Sequence, residues 1–296
     1  MRLGISVVAI AVVTLACAAK DAPSTSPGAG LRIVATTTVL ADIVQNVAGD
    51  RATVVSIIPP GVGPEDYEPK PDDARALDGA DLIVSNGAGL DDFLDRLISS
   101  GQGGETPRLV LGDGIPTIEV DGEPNPHFWL DPSLVVEHYL PAITNALEKV
   151  DPDGATTYRA NAATYAASVT AMDRDLQDEV ATIPEANRKL VTFHDAFPYF
   201  ARHYGFELIG VILPNPGQEP SAGELAALVD TVKSAGVHAV FSEAQFDPAL
   251  AHTLADEAGI TNVISTLYTD ALGPAPADTY LGMMRTDMAA IVDALR

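Results

Sequence analysis

Hydrophobic and polar positions alternate in two stretches of the chain, separated by one long uninterrupted helical run. From Leu31 the segment LRIVATTT is a β-branched run that suits a buried strand. Leu40, Ile43, Val44 and Val47 then recur at helical spacing, and Gly49 marks the stop. The segments TVVSIIP, DLIVSNG and RLVLGDG predict three more strands, interleaved with helices around Asp72–Leu77 and along LDDFLDRLISS. A second alternating series follows Arg188: KLVTF, FELIGVIL, HAVFSE and NVIST as strands, with helices between them and a closing helix over Thr279–Arg296. Strand–helix alternation of this kind predicts an α/β fold with two lobes, each a mostly parallel sheet carrying helices on both faces.

Between the two series, Ser133–Val150 has helical periodicity with Asp131 or Ser133 as cap, and Asp151–Gly154 breaks it. Ala155–Ile183 then runs without Gly or Pro. As one helix it is about 40 Å long, enough for a rigid strut joining the lobes. The expected division is an N-terminal lobe over residues 31–154, a connecting helix over 155–183 and a C-terminal lobe over 184–296.

The first thirty residues have a different character. Arg2 precedes an apolar run, Leu3 to Ala16, that is too short to span a bilayer comfortably, and Ala16 stands before the single cysteine, Cys17. This predicts a lipoprotein leader over 1–16, with cleavage before Cys17 and lipidation of its thiol, although Thr14 replaces the usual leucine. The alternative is an ordinary signal peptide with an incidental cysteine, and either reading exports the chain. Residues 17–30, rich in Pro, Ser, Gly and Ala, read as a tether. The expected location is the extracytoplasmic face of the cell membrane, lipid-anchored.

With 17 Lys and Arg against 41 Asp and Glu, the net charge is −24. Such a chain is unsuited to nucleic acid, which needs a basic surface, and suited to drawing in cations. Open α/β sheets bind ligands beyond the carboxyl ends of their strands. Two of the six histidines fall there: His127 in NPHFWLDP and His194 in LVTFHDAF. His138, His203 and His252 fall inside predicted helices, where packing or solvent exposure is expected, and His238 starts a strand. Glu65 and Asp66, in the loop PPGVGPEDYEPKP, and Asp270, in LYTDALG, are carboxylates that can complete a site for a first-row divalent ion, although each taken singly reads equally as a solvated loop acid.

The ordered series PPGVGPEDYEPKP, LIVSNGAGLDDFLDRL, NPHFWLDP, LVTFHDAFPYFARHYGFELIG, EPSAGELAALV, VFSEAQFD, LYTDALG and TYLGMMRTDMAAIVDAL resembles the metal-binding lipoproteins of manganese and zinc ABC importers, a zinc-uptake-like solute-binding family. The resemblance covers nearly the whole mature chain. It implies one divalent ion held by His127, His194 and Asp270, delivery to an ABC permease and its ATPase, a connecting helix that limits hinge motion, a monomer, and no enzymatic activity. The family loop usually reads Asp-Pro-His-x-Tyr. Here it is Gly63-Pro64-Glu65-Asp66-Tyr67, so Glu65 replaces a histidine and is expected to serve as ligand, with Asp66 the local alternative and a three-ligand site a third outcome. A carboxylate there, and the lack of histidine in Gly101–Asn125, favour manganese over zinc. His194 stands where manganese members often carry glutamate, which argues the other way. Ferrous iron is a third candidate. Competing readings are an exported metal-dependent hydrolase and a surface adhesin on the same fold; no HExxH, GxSxG or Walker loop is present.

Overall fold

The computed structural model describes residues 30–64, 67–99, 104–214 and 220–296. The leader, Cys17, and the pair Glu65–Asp66 lie outside the described residues. The N-terminal half contains β1 (Leu31–Ala35), α1 (Thr38–Ala48), β2 (Ala52–Ser56), α2 (Pro71–Asp78), β3 (Leu82–Ser85), α3 (Asp92–Ser99) and β4 (Arg108–Val110). A small antiparallel hairpin, β5 (Glu119–Val120) and β6 (Glu123–Pro124), follows it. Next come α4 (Pro132–Leu134), a π-helical turn over Val135–Tyr139, α5 (Leu140–Val150) and the long α6 (Ala155–Val180). The C-terminal half contains β7 (Lys189–His194), α7 (Pro198–Tyr204), β8 (Glu207–Leu213), α8 (Ala222–Ala235), β9 (Ala239–Glu243), α9 (Ala249–Ala258), β10 (Asn262–Leu267) and α10 (Tyr280–Leu295).

The four-stranded sheets have the orders β2-β1-β3-β4 and β10-β9-β7-β8, and every pairing within them is parallel. The expected α/β architecture is therefore present. α1 illustrates why its sequence is helical: Thr37 caps it by accepting from Leu40 N, its apolar stripe buries Val39, Leu40, Ile43, Val44 and Val47, and Gly49 ends it at a φ of 59°. α6 stops at Val180, three residues before the expected end, and measures about 39 Å. It buries Tyr158, Tyr165, Val169, Met172, Leu176 and Val180 along one side.

These side chains belong to the largest apolar cluster, which runs from Ile33 and Ile43 in the first half through α6 to Tyr199, Met288 and Ile291 in the second. Two smaller clusters line the outer faces of the sheets, one under α2 and α3 and one under α8 and α9. The halves thus share a core instead of meeting at a polar seam. The carboxyl ends of β1 and β3, and of β7 and β9, lie at the points where strand order reverses, the positions at which such sheets form crevices.

Candidate metal centre

His194 is the last residue of β7, and Thr192 pairs with Phe241 of β9. Two residues further along each strand, His194 Nδ1 meets Glu243 Oε1 at 2.9 Å. Neither side chain is more than 2% exposed. With Glu243 accepting, Nδ1 carries the hydrogen and Nε2 is left to bind. This is the arrangement by which outer carboxylates orient metal-binding imidazoles. Glu243 was not singled out in the sequence. Its signal was an acid closing the apolar strand HAVFSE, but only the strand order places it beside β7.

His127 belongs to the other half. It precedes a 3-10 turn over Phe128–Leu130, and its Nδ1 lies 3.1 Å from Asn125 Oδ1. Asn125 also receives the His127 backbone N–H and donates its amide to the carbonyl of Asp195, so it spans the lobes. The loop rests on Asn86, whose amide donates to Pro126 O at 2.8 Å, and on Gly112. A Cβ on Gly112 would stand 2.7 Å from the Phe128 ring and 2.8 Å from Asn86 O.

Asp270 follows β10 and is 1% exposed. Its loop is fixed from three sides. Tyr268 N donates to Asp287 Oδ1 at 3.0 Å, Trp129 Nε1 donates to Thr269 O at 2.7 Å, and Leu272 N donates to Thr38 Oγ1 at 2.8 Å. Burial pushes the Asp287 carboxyl well above the usual carboxylate range.

The three expected ligands converge. His127 Nε2 is 3.1 Å from Asp270 Oδ1, His194 Nε2 is 3.2 Å from Asp270 Oδ2, and the two Nε2 atoms are 3.3 Å apart. Among the described residues this is the one group of three such side chains whose ligating atoms gather, all within 4.8 Å. Burial alone would depress an imidazolium at His194, but Glu243 and Asp270 override it and hold the group well above the ordinary histidine value. Burial likewise opposes ionisation of Asp270, and the facing imidazoles drive it well below the carboxylate range. Each imidazole must be neutral to bind, so a metal competes with protons for this site. A cavity of about 430 Å³ opens from His127 and His194, with Pro64, Tyr67, Asp121 and Asp195 in its wall.

His203, expected to pack or face solvent, is half-buried. Its ring bridges two aspartates from other elements: Nδ1 to Asp131 at 3.1 Å and Nε2 to Asp173 at 2.8 Å.

A family profile described as zinc-uptake complex component A, periplasmic, matches residues 33–294. The chain belongs to this family. It is 34% identical to the manganese-binding lipoprotein MntA of Halalkalibacterium halodurans, over 98% of this chain and 96% of that one. It is 32% identical to the iron-binding protein YfeA of Yersinia pestis, over 95% and 91%. In structure it is similar to the Mn-bound periplasmic metal binding protein of Candidatus Liberibacter asiaticus, with a TM-score of 0.82, 27% identity and coverage of 90% and 100%. It is equally similar to the periplasmic zinc binding protein TroA of Treponema pallidum, with a TM-score of 0.82, 28% identity and coverage of 90% and 99%. Relatives that carry a transporter name are substrate-binding lipoproteins of ABC transporters, not enzymes.

Proposed function

We propose that this protein is an extracytoplasmic solute-binding protein that captures one divalent transition-metal ion between its lobes and passes it to an ABC permease and its ATPase. The observation that carries the reading is the meeting of two imidazole nitrogens and a carboxylate, drawn from both halves, within 4.8 Å. Two neutral imidazoles and a carboxylate are the donor set of first-row divalent ions, and a ligand set split between lobes couples the ion to their relative position. Relatives named for manganese, iron and zinc frame the range of cargo.

Glu65 is the fourth ligand in this reading, with Asp66 as the local alternative. Pro64 and Tyr67 flank that pair and line the cavity that His127 and His194 open into, which supports a carboxylate entering from that side. A second carboxylate favours manganese over zinc, with ferrous iron also served. Cys17 is the proposed lipid attachment point, tethering a monomer through residues 17–30. The proposed domain division remains 31–154, 155–183 and 184–296.

The test is anaerobic titration of manganese, zinc and ferrous iron, read as the ligand-induced rise in melting temperature. His127→Ala, His194→Ala and Asp270→Ala should each abolish the rise, and Glu65→Ala should diminish it. An undiminished rise in Glu65→Ala would remove Glu65 from the site, and no rise in the wild type would remove the function.

A further inference from the structure

Asn86 and Gly87 form the one Asn-Gly pair in the chain. Each residue is required where it stands. Gly87 has a φ of 87°, and a Cβ there would meet Val110 Cγ1 at 2.6 Å, so the position suits glycine. Asn86, fully buried just beyond β3, accepts from the Tyr139 hydroxyl and donates to Pro126 O at 2.8 Å. An amide does both at once, whereas an ionised carboxylate only accepts.

These two demands bring a reactive pair together. The glycine nitrogen, unshielded by a side chain, can attack the amide carbon of the asparagine before it. A carbon–nitrogen bond forms, ammonia leaves, and water opens the resulting cyclic imide to aspartate or isoaspartate. The reaction needs a Gly87 nitrogen released from its hydrogen bond and an Asn86 side chain free to swing over it.

The fold withholds both. Gly87 N donates to Asp91 Oδ2 at 2.6 Å, and Asp91 is 3% exposed. The turn that returns Asp91 to Gly87 runs through three successive residues at positive φ: Gly87, Ala88 and Gly89. The Asn86 amide is held at its oxygen by Tyr139 and at its nitrogen by Pro126 O and Gly87 O. Tyr139 is supplied by the π-helical turn Val135–Tyr139, a geometry frequent at functional positions.

We infer that Asn86-Gly87 is a latent site of spontaneous deamidation, kept unreacted by the Asp91 hydrogen bond, and that its conversion releases the His127 loop. The product acid, once ionised, has no hydrogen to give Pro126 O, and Pro126 immediately precedes His127. Isoaspartate also inserts an extra backbone carbon at this point. Only the consequence for His127 rests on the metal-binding reading; the chemistry at Asn86 stands apart from it.

The experiment holds the full chain at mildly alkaline pH and follows conversion of the Asn86 peptide by mass spectrometry with isoaspartate detection. Folded wild type is compared with wild type unfolded in guanidinium chloride and with folded Asp91→Ala. A hydrogen bond that must break before attack slows the reaction, so Asp91→Ala should convert about 10- to 100-fold faster than folded wild type. Unfolded wild type should react at least as fast as the variant. Equal rates in folded and unfolded wild type would overturn the inference. So would an Asp91→Ala that reacts no faster than wild type, the result expected if Asp91 draws the proton from Gly87 instead of guarding it. If Asp91→Ala does not fold, Tyr139→Phe takes its place; it keeps the ring, frees the Asn86 oxygen and should also speed conversion. Asn86→Asp, which is one conversion product, should show a smaller rise in melting temperature with zinc alone than wild type. An equal rise would overturn the link to His127. No rise in wild type would instead defeat the metal-binding reading and leave the deamidation rates to stand by themselves.

Discussion

Trp129 donates its indole N–H to the carbonyl oxygen of Thr269 across 2.7 Å, joining the segment just beyond His127 to the residue just before Asp270. The bond is buried, and it closes the distance between ligands from opposite halves. Trp129→Phe keeps an aromatic ring but strands the carbonyl, which should lower stability by about 1–3 kcal/mol in urea unfolding. It should also weaken metal binding, because the two ligand loops then move separately. Unchanged affinity beside lowered stability would confine the bond to a structural role.

Glu243 holds the hydrogen on His194 Nδ1. Glu243→Ala should reduce metal affinity by about 10- to 100-fold, the usual effect of losing an outer partner. Glu243→Gln retains an accepting oxygen and should recover part of that loss. Isothermal titration of the two variants checks the order; equal losses would show that charge, not orientation, is what Glu243 supplies.

His203 is the place to look for pH-dependent stability. Burial opposes its charge, but Asp173 and Asp131 prevail and raise its pKa from 6.5. Arg202 and Gln177 also face the cluster, and Tyr204 donates to Asp173 at 2.9 Å. A raised pKa means the folded state holds the proton more tightly. The stabilisation is fully present below about pH 6.5 and fades as pH rises through the folded-state value. The melting-temperature gap between wild type and His203→Gln should therefore be widest in acid and narrow towards alkaline pH. A gap that widens with pH would contradict this sign.

Much of this was legible in the sequence, for stated reasons. Periodicity gave the parallel strands and α1 because apolar stripes and glycine stops are local signals. His127 and His194 stood out because each follows a strand in a different half. Asp270 was one acid among 41, offered beside Glu65 and Asp66 for its place after the last strand, and only the resemblance set it apart from them. Glu243 and Asn125 were missed because their roles depend on β9 lying beside β7 and on loops from both halves meeting, which no local pattern encodes. The β5–β6 hairpin escaped notice although its turn, Asp121-Gly122, is a recognised hairpin signal with both residues at positive φ.

The shared core suggests a separation between stability and binding. Leu176 on α6 is fully buried, and none of the ligands lies on that helix. Leu176→Ala should cost about 2–5 kcal/mol in denaturant unfolding. Metal affinity measured well below the transition should stay within about twofold of wild type. A large loss of affinity would mean that packing along α6 reaches the ligand loops.

The placement of His127 also depends on a side chain that does not exist. The Phe128 ring and the Asn86 carbonyl close over Gly112 at distances that leave no room for even a methyl group. An imidazole that touches the ion is thus aimed by an omission on a neighbouring loop. A survey confined to reactive groups would pass over position 112, yet adding one carbon there would push the whole His127 segment away from its partners.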